Sequence, residues 1–164
     1  MSTFKRLSIF IVCCTISWTF FSLDCVPGNG LLSGSHYVLF TKRETWQKAR
    51  ANCEKIGADL VKIESAVENE FLNTAFLTTG LSRVTYWIGL SDQVNEGEWK
   101  WTDGSLLGGM YSNWGNRNPN NQGGNQNCAG IVRGMIGDHH FYDAEWNDWN
   151  CAYAQGYICE KDQF

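Results

Sequence analysis

The chain has 164 residues, a formal net charge of −4, eight Trp, seven Cys and 14 % aromatic residues. That length holds one domain, or one domain with a targeting segment. The charge argues against non-specific nucleic-acid binding, which needs an excess of Lys and Arg, and the aromatic content argues against disorder. Below-average charge with abundant Gly, Asn and Trp suits a loop-rich, β-containing domain better than a helical bundle.

Lys5 and Arg6 precede a stretch from Leu7 to Leu23 that carries no charge. A basic start before an apolar run reads as a secretory signal peptide, residues 1–25, with cleavage between 22 and 25, leaving 26–164 as the mature domain. The run falls slightly short of the roughly 20 apolar residues of a membrane span; an uncleaved anchor is the alternative. No second stretch is long enough, so no membrane span is expected after cleavage. Cys13 and Cys14 leave with the signal. Cys53, Cys128, Cys151 and Cys159 remain, with three pairings open. Cys25 sits at the boundary. If retained, it makes the count odd and points to a disulfide-linked homodimer or a free thiol.

In chain order, Cys25 to Ser35 reads as a flexible lead-in. Tyr37 to Phe40 predicts a strand. Thr41 with Glu44 forms a capping box that predicts a helix start, and Trp46, Ala49, Cys53 and Ile56 share one helical face. Gly57 is a stop signal. Leu60 to Ile63 predicts a second strand. Ser65 with Glu68 repeats the capping box, and Val67, Phe71, Leu72, Ala75 and Phe76 stripe a second helix. From Thr85 onward the pattern is short strands and long polar loops. The fold class is therefore α+β. No Asn-x-Ser/Thr acceptor occurs, so N-glycosylation is not expected.

Several motifs then follow in a fixed order: Trp87-Ile88-Gly89-Leu90, Trp99-Lys100-Trp101-Thr102-Asp103-Gly104, Trp114, Asn118-Pro119-Asn120, Cys128, Trp146-Asn147-Asp148, Cys151 and Tyr157-Ile158-Cys159-Glu160. Together they resemble the C-type lectin-like domain, over about residues 34 to 161. The resemblance implies a double-loop α+β fold with a long, disulfide-clamped loop region. It also implies the pairs Cys53–Cys159 and Cys128–Cys151, and leaves Cys25 without a mate inside the domain.

Calcium takes six to eight oxygen ligands. The segment Gly115 to Asn127 is crowded with amides, which surface turns also favour. Carried over from the family, the sugar-linked calcium site uses Asn118, Asn120, Gln126, Asn147 and Asp148, around a cis Pro119. The same five, with Trp149 on the flank, form the implied sugar-binding set. Asn118 departs from the family, where Glu is the mannose-type and Gln the galactose-type choice, and Gln126 departs from the usual Glu, so only one ligand of five is charged and weak calcium affinity is expected. An amide whose oxygen holds the ion can only donate to a sugar. Asp92 and Glu96, with Asn121 and Asn127, match a second possible calcium site; an ordinary acidic loop is the alternative. Trp149 is either exposed for sugar stacking or packed in the core. Trp87, Trp99, Trp101 and Trp146 are expected in the core. Between Cys128 and Trp146, the segment holding Arg133, Asp138, His139, His140, Phe141 and Asp143 reads as a solvated loop rather than a zinc site.

The resemblance implies a secreted, extracellular, calcium-dependent lectin for glycans or glycoconjugates, with mannose or N-acetylglucosamine favoured through Asn120, and a place in innate microbial recognition. Alternatives are a domain that has lost calcium and binds a protein ligand, and calcium-independent glycan or ice binding. An enzyme is not expected. No nucleophile elbow, His-Glu-x-x-His or phosphate loop occurs, and His36, His139 and His140 have no evident catalytic partner.

Overall fold

A computed structural model describes residues 29–32, 34–77, 83–136 and 139–162. The expected signal peptide and Cys25, with its expected homodimer link, lie outside these residues. Strands β1 (Asn29–Leu32) and β2 (Ser35–Glu44) form a hairpin. Helix α1 (Trp46–Lys55), β3 (Asp59–Leu60) and helix α2 (Ala66–Leu72) follow, and α2 runs into a π-helical turn, Asn73–Leu77. Then come β4 (Arg83–Ser91), β5 (Lys100–Trp101), β6 (Cys128–Ile136), β7 (His139–Trp149) and β8 (Gln155–Asp162). Among the described residues the strands join in the order β1-β2-β8-β4-β6-β7, with β3 on β8 and β5 on β4. The β4–β8 pairing is parallel, and the others are antiparallel.

The first helix starts later than the Thr41–Glu44 box predicts. Both residues belong to β2, where Glu44 pairs with Gln155 of β8, and the ladder overrides the local cap. Thr45 is the N-cap, its hydroxyl accepting from the Lys48 N–H at 3.4 Å. Trp46, Ala49 and Cys53 face the core as expected, but Ile56 falls at the C-cap and is 47 % exposed. The second box holds at its first half: Ser65 Oγ accepts from the Glu68 N–H at 3.2 Å. The Glu68 carboxylate instead turns inward, accepting from Tyr37 Oη at 3.0 Å and from the Glu64 N–H at 2.8 Å. Val67, expected on the apolar stripe, is 70 % exposed.

The segment from Cys128 to Trp146 is a β6–β7 hairpin, not the solvated loop expected, with register running from Cys128↔Trp149 to Ile136↔His139. Its inner half supplies the reason: Ile131, Val132, Ala144 and Trp146 are fully buried, so apolar burial draws the segment into the sheet. The side chains of His139 and His140 lie outside the described residues.

Two core clusters hold the domain. One joins Tyr37, Ile63, Ile88, Leu90, Trp101, Ile131 and Trp146; the other joins Trp46, Leu60, Trp87, Val132, Trp149 and Tyr157. Trp87, Trp99, Trp101 and Trp146 are all buried. The indole N–H groups of Trp46, Trp87 and Trp146 donate to Ile88 O, Glu44 O and Asn69 Oδ1, each at 2.9 Å. Gly89 in β4 leaves space that no other residue could: an added Cβ would sit 2.7 Å from Leu60 O. Disulfides join Cys53 to Cys159 and Cys128 to Cys151.

Candidate functional site

The long segment between β5 and β6 forms the site. Trp114 anchors it through edge contacts with Trp99 and Trp146, at 4.8 and 5.8 Å between centroids. Two backbone bonds clip it to β7, Gly115 N–H to Trp146 O at 2.8 Å and Trp146 N–H to Asn113 O at 2.7 Å. Beyond the clip, Asn118 N–H donates to Gly115 O at 2.9 Å, and the Asn118–Pro119 peptide is cis.

Asp148 is the centre of this loop. It is fully buried on β7, and its Oδ2 accepts the backbone N–H of Asn120 at 3.0 Å and of Asn121 at 2.6 Å. Its Oδ1 has no hydrogen-bond partner among the described residues. A buried carboxylate oxygen without a donor is costly unless a cation or water meets it. Asn147, also buried, donates from Nδ2 to Asp148 O at 2.9 Å.

The exposed and half-buried amides of the loop are interlocked. Gln122 N–H donates to Asn120 Oδ1 at 3.0 Å and to Gln126 Oε1 at 2.8 Å. Asn120 Nδ2 donates to Asn118 Oδ1 at 2.5 Å, and Gln126 N–H donates to Asn121 Oδ1 at 3.0 Å. The structure thus brings Asn118, Asn120, Gln126, Asn147 and Asp148 into one loop-and-strand unit, with most amide oxygens already engaged inside it.

The second expected set is less gathered. Asp92, 2 % exposed, accepts the Gly97 N–H on Oδ2 at 2.8 Å, and its own N–H donates to Asn127 O at 3.2 Å. Asp92 Oδ1 and Asn127 Oδ1 are buried without partners among the described residues. Burial pushes the Asp92 carboxyl up, the Gly97 N–H opposes this, and the charges of Glu96 and Asp148 add to the rise. Glu96 is exposed on the turn, and Asn121 belongs to the Asp148 network.

The donor chemistry fits a hard oxygen-seeking ion such as calcium: Asp92, Asn127 and Asp148 each hold a buried oxygen that lacks a donor. Among the described residues no three His, Cys, Asp or Glu side chains gather around one point, so the set is poor in charge. The amide oxygens of Asn118, Asn120 and Gln126 would have to exchange their present donors for the ion.

Trp149 takes the core placement of the two alternatives. It is 7 % exposed and packs with Trp46, Trp87 and Tyr157, three residues after Trp146 on the same strand and so on the other face of the sheet. It is not available for stacking on a sugar. Arg117 went unread in the sequence, although it is the one charged residue between Gly115 and Asn127; its sign was the signal.

Residues 42–161 match the family model described as Lectin C-type domain. Hepatic lectin of Gallus gallus is 35 % identical over 128 residues, 78 % of this chain and 55 % of its own length. The chain spans about half the length of that relative, and about a third of the next ones. The mouse scavenger receptor C-type lectin carbohydrate-recognition domain superposes with a TM-score of 0.71 at 32 % identity, covering 86 % of this chain and 100 % of that one. The cow carbohydrate-recognition domain of CD23, solved in the presence of a GlcNAc2Man3 oligosaccharide, gives 0.65 at 30 % identity over 81 % of this chain and 92 % of its own. With the α+β fold, both disulfides and the ordered motifs in agreement, the chain belongs to the C-type lectin domain family, a fold of binding domains rather than enzymes.

Proposed function

We propose that this domain is secreted and binds glycans through the loop Gly115–Asn127 with the help of a weakly held calcium ion, favouring mannose- or N-acetylglucosamine-type hydroxyls. The observation that carries the reading is Asp148, fully buried, with the loop folded onto one oxygen and the other lacking a donor among the described residues. Calcium, when bound, supplies a positive centre that draws sugar hydroxyl oxygens. Asp148 would hold the ion with amide oxygens from Asn118, Asn120, Gln126 and Asn147. The amide nitrogens of Asn118 and Asn120 then orient the ring by donating to its oxygens. The relative solved with an oligosaccharide supports a glycan as the ligand. The two disulfides support an oxidising compartment.

The test uses the refolded, oxidised domain on mannose and N-acetylglucosamine resins. Retention in calcium and release by chelator are expected. Flow-through from both resins in both buffers would sink the reading. A second reading, a protein ligand bound without calcium, is favoured by the amide oxygens already engaged within the loop. Capture of a binding protein with equal yield in chelator would establish it. A disulfide-linked homodimer through Cys25 belongs to the same proposal. Non-reducing electrophoresis of the secreted chain showing monomer alone would remove it.

A further inference from the structure

Resting on the glycan reading above, we propose that the loop selects acidic sugars, hexoses bearing a carboxylate or a sulfate ester, through Arg117 and the unengaged amide nitrogens of Asn118 and Gln126.

Backbone donors fix which way these amides face. Gln122 N–H can only donate, so the atoms it meets at 3.0 Å on Asn120 and 2.8 Å on Gln126 are oxygens. The other polar atom of Asn120 is therefore Nδ2, and it donates to Asn118 Oδ1 at 2.5 Å. By elimination, Asn118 Nδ2 and Gln126 Nε2 are not engaged in the network, and neither has a partner among the described residues. A calcium ion taking the amide oxygens would release Asn120 Nδ2 and keep the nitrogens of Asn118 and Gln126 as donors, because an oxygen-bound amide still offers only its NH₂.

Charge points the same way. Arg117 is exposed and makes no ion pair among the described residues. Its φ of +66° lies in the left-handed region, closed by the Asn118 N–H to Gly115 O bond at 2.9 Å, so the turn sets where the guanidinium emerges. The nearest negative group of the loop network, Asp148, is fully buried with Oδ2 holding two N–H groups. Arg117 and the amide nitrogens of Asn118 and Gln126 thus present donors and a positive charge, while the amide oxygens of Asn118 and Gln126 already accept within the loop. A neutral hydroxyl needs an acceptor for its own proton. A carboxylate or sulfate needs none and forms the stronger, charge-assisted bonds.

The refolded, oxidised domain is titrated calorimetrically in calcium with two matched pairs, glucose against glucuronic acid and N-acetylglucosamine against N-acetylglucosamine 6-sulfate. Either acidic sugar is expected to bind about tenfold more tightly than its neutral counterpart, an advantage that shrinks as salt rises. The comparison between sulfate and carboxylate tells which acid is preferred. Arg117→Asn keeps a residue that tolerates positive φ and is expected to erase most of the advantage. Asn118→Glu with Gln126→Glu returns two acceptors and is expected to reverse the preference. Thermal melting checks that both variants fold. Equal binding of acidic and neutral sugars, or an advantage that survives Arg117→Asn, overturns the inference while leaving the glycan reading intact. Binding of no sugar at all overturns both.

Discussion

Glu68 is a largely buried carboxylate, 7 % exposed between α2 and β2. Burial pushes it up to about 7; the Glu64 N–H and Tyr37 hydroxyl partly offset this, and the charges of Glu160 and Glu64 add to it. A group whose folded value exceeds its ordinary 4.5 stabilises the domain below that value, and this contribution is lost as pH rises through about 7. The midpoint of thermal unfolding should therefore rise from pH 8 to pH 5, with a contribution from Glu68 of up to about 3 kcal/mol. Glu68→Gln should flatten that slope; an unchanged slope would move its origin to another group. On the acid side Asp103 works in the opposite sense. The Lys62 ammonium and Ser105 hydroxyl hold its carboxyl down at about 2, so its contribution is lost as pH falls through that value. Asn69, beside Glu68 in the chain, is also buried, accepting from Trp146 Nε1 at 2.9 Å and donating to Ala144 O at 3.2 Å. Asn69→Ala strands both groups and should cost about 2–4 kcal/mol in chemical denaturation. Glu68 stands out only as half of a capping box and Asn69 not at all, and the buried role of neither shows in the sequence. Their partners lie 31 and 77 residues away, and local spacing carries no trace of such pairs. Asp148 is singled out in the sequence because Trp146-Asn147-Asp148 resembles a family motif.

Elements were legible where local chemistry and burial agree. Ser65 caps α2 as its spacing says, and Trp46, Ala49 and Cys53 face inward. They were misread where a neighbouring strand intervenes: Thr41 and Glu44 look like a helix start until β8 pairs with Glu44. The β6–β7 hairpin was hidden for a related reason, since the polar run around Asp138 masks the apolar positions at its base. In the binding loop the amide composition was visible, but the direction of each amide was not. That direction depends on which backbone N–H groups the fold turns inward. The strand β4 gives an element-scale prediction. Gly89 N–H donates to Val61 O at 2.8 Å, and its Cα faces Leu60 O with no room for a methyl group. Gly89→Ala should push β3 from β4 and destabilise the domain by about 1–3 kcal/mol, read by denaturant midpoint. A neutral result would mean that β3 shifts without cost.

For the whole molecule, the two disulfides have different reach. Cys53–Cys159 closes 106 residues, and Cys128–Cys151 closes 23. In the loop-entropy account, the longer one contributes about 1 kcal/mol more. Cys53→Ala with Cys159→Ala should therefore unfold at lower denaturant than Cys128→Ala with Cys151→Ala. The second pair of changes should instead weaken sugar retention, because Cys128 opens β6 directly after Asn127 and Cys151 follows the end of β7, which carries Asn147 and Asp148.

The longer bridge has one more consequence. Gly123 and Gly124, both exposed and at positive φ, lie in the loop Gly115–Asn127 and are a natural point for a protease to cut. A cut there falls between Cys53 and Cys159, so the two fragments stay covalently joined. Such a nicked molecule would run as a single species until reductant separates its halves. Its mass would be almost unchanged while its grip on a ligand was gone.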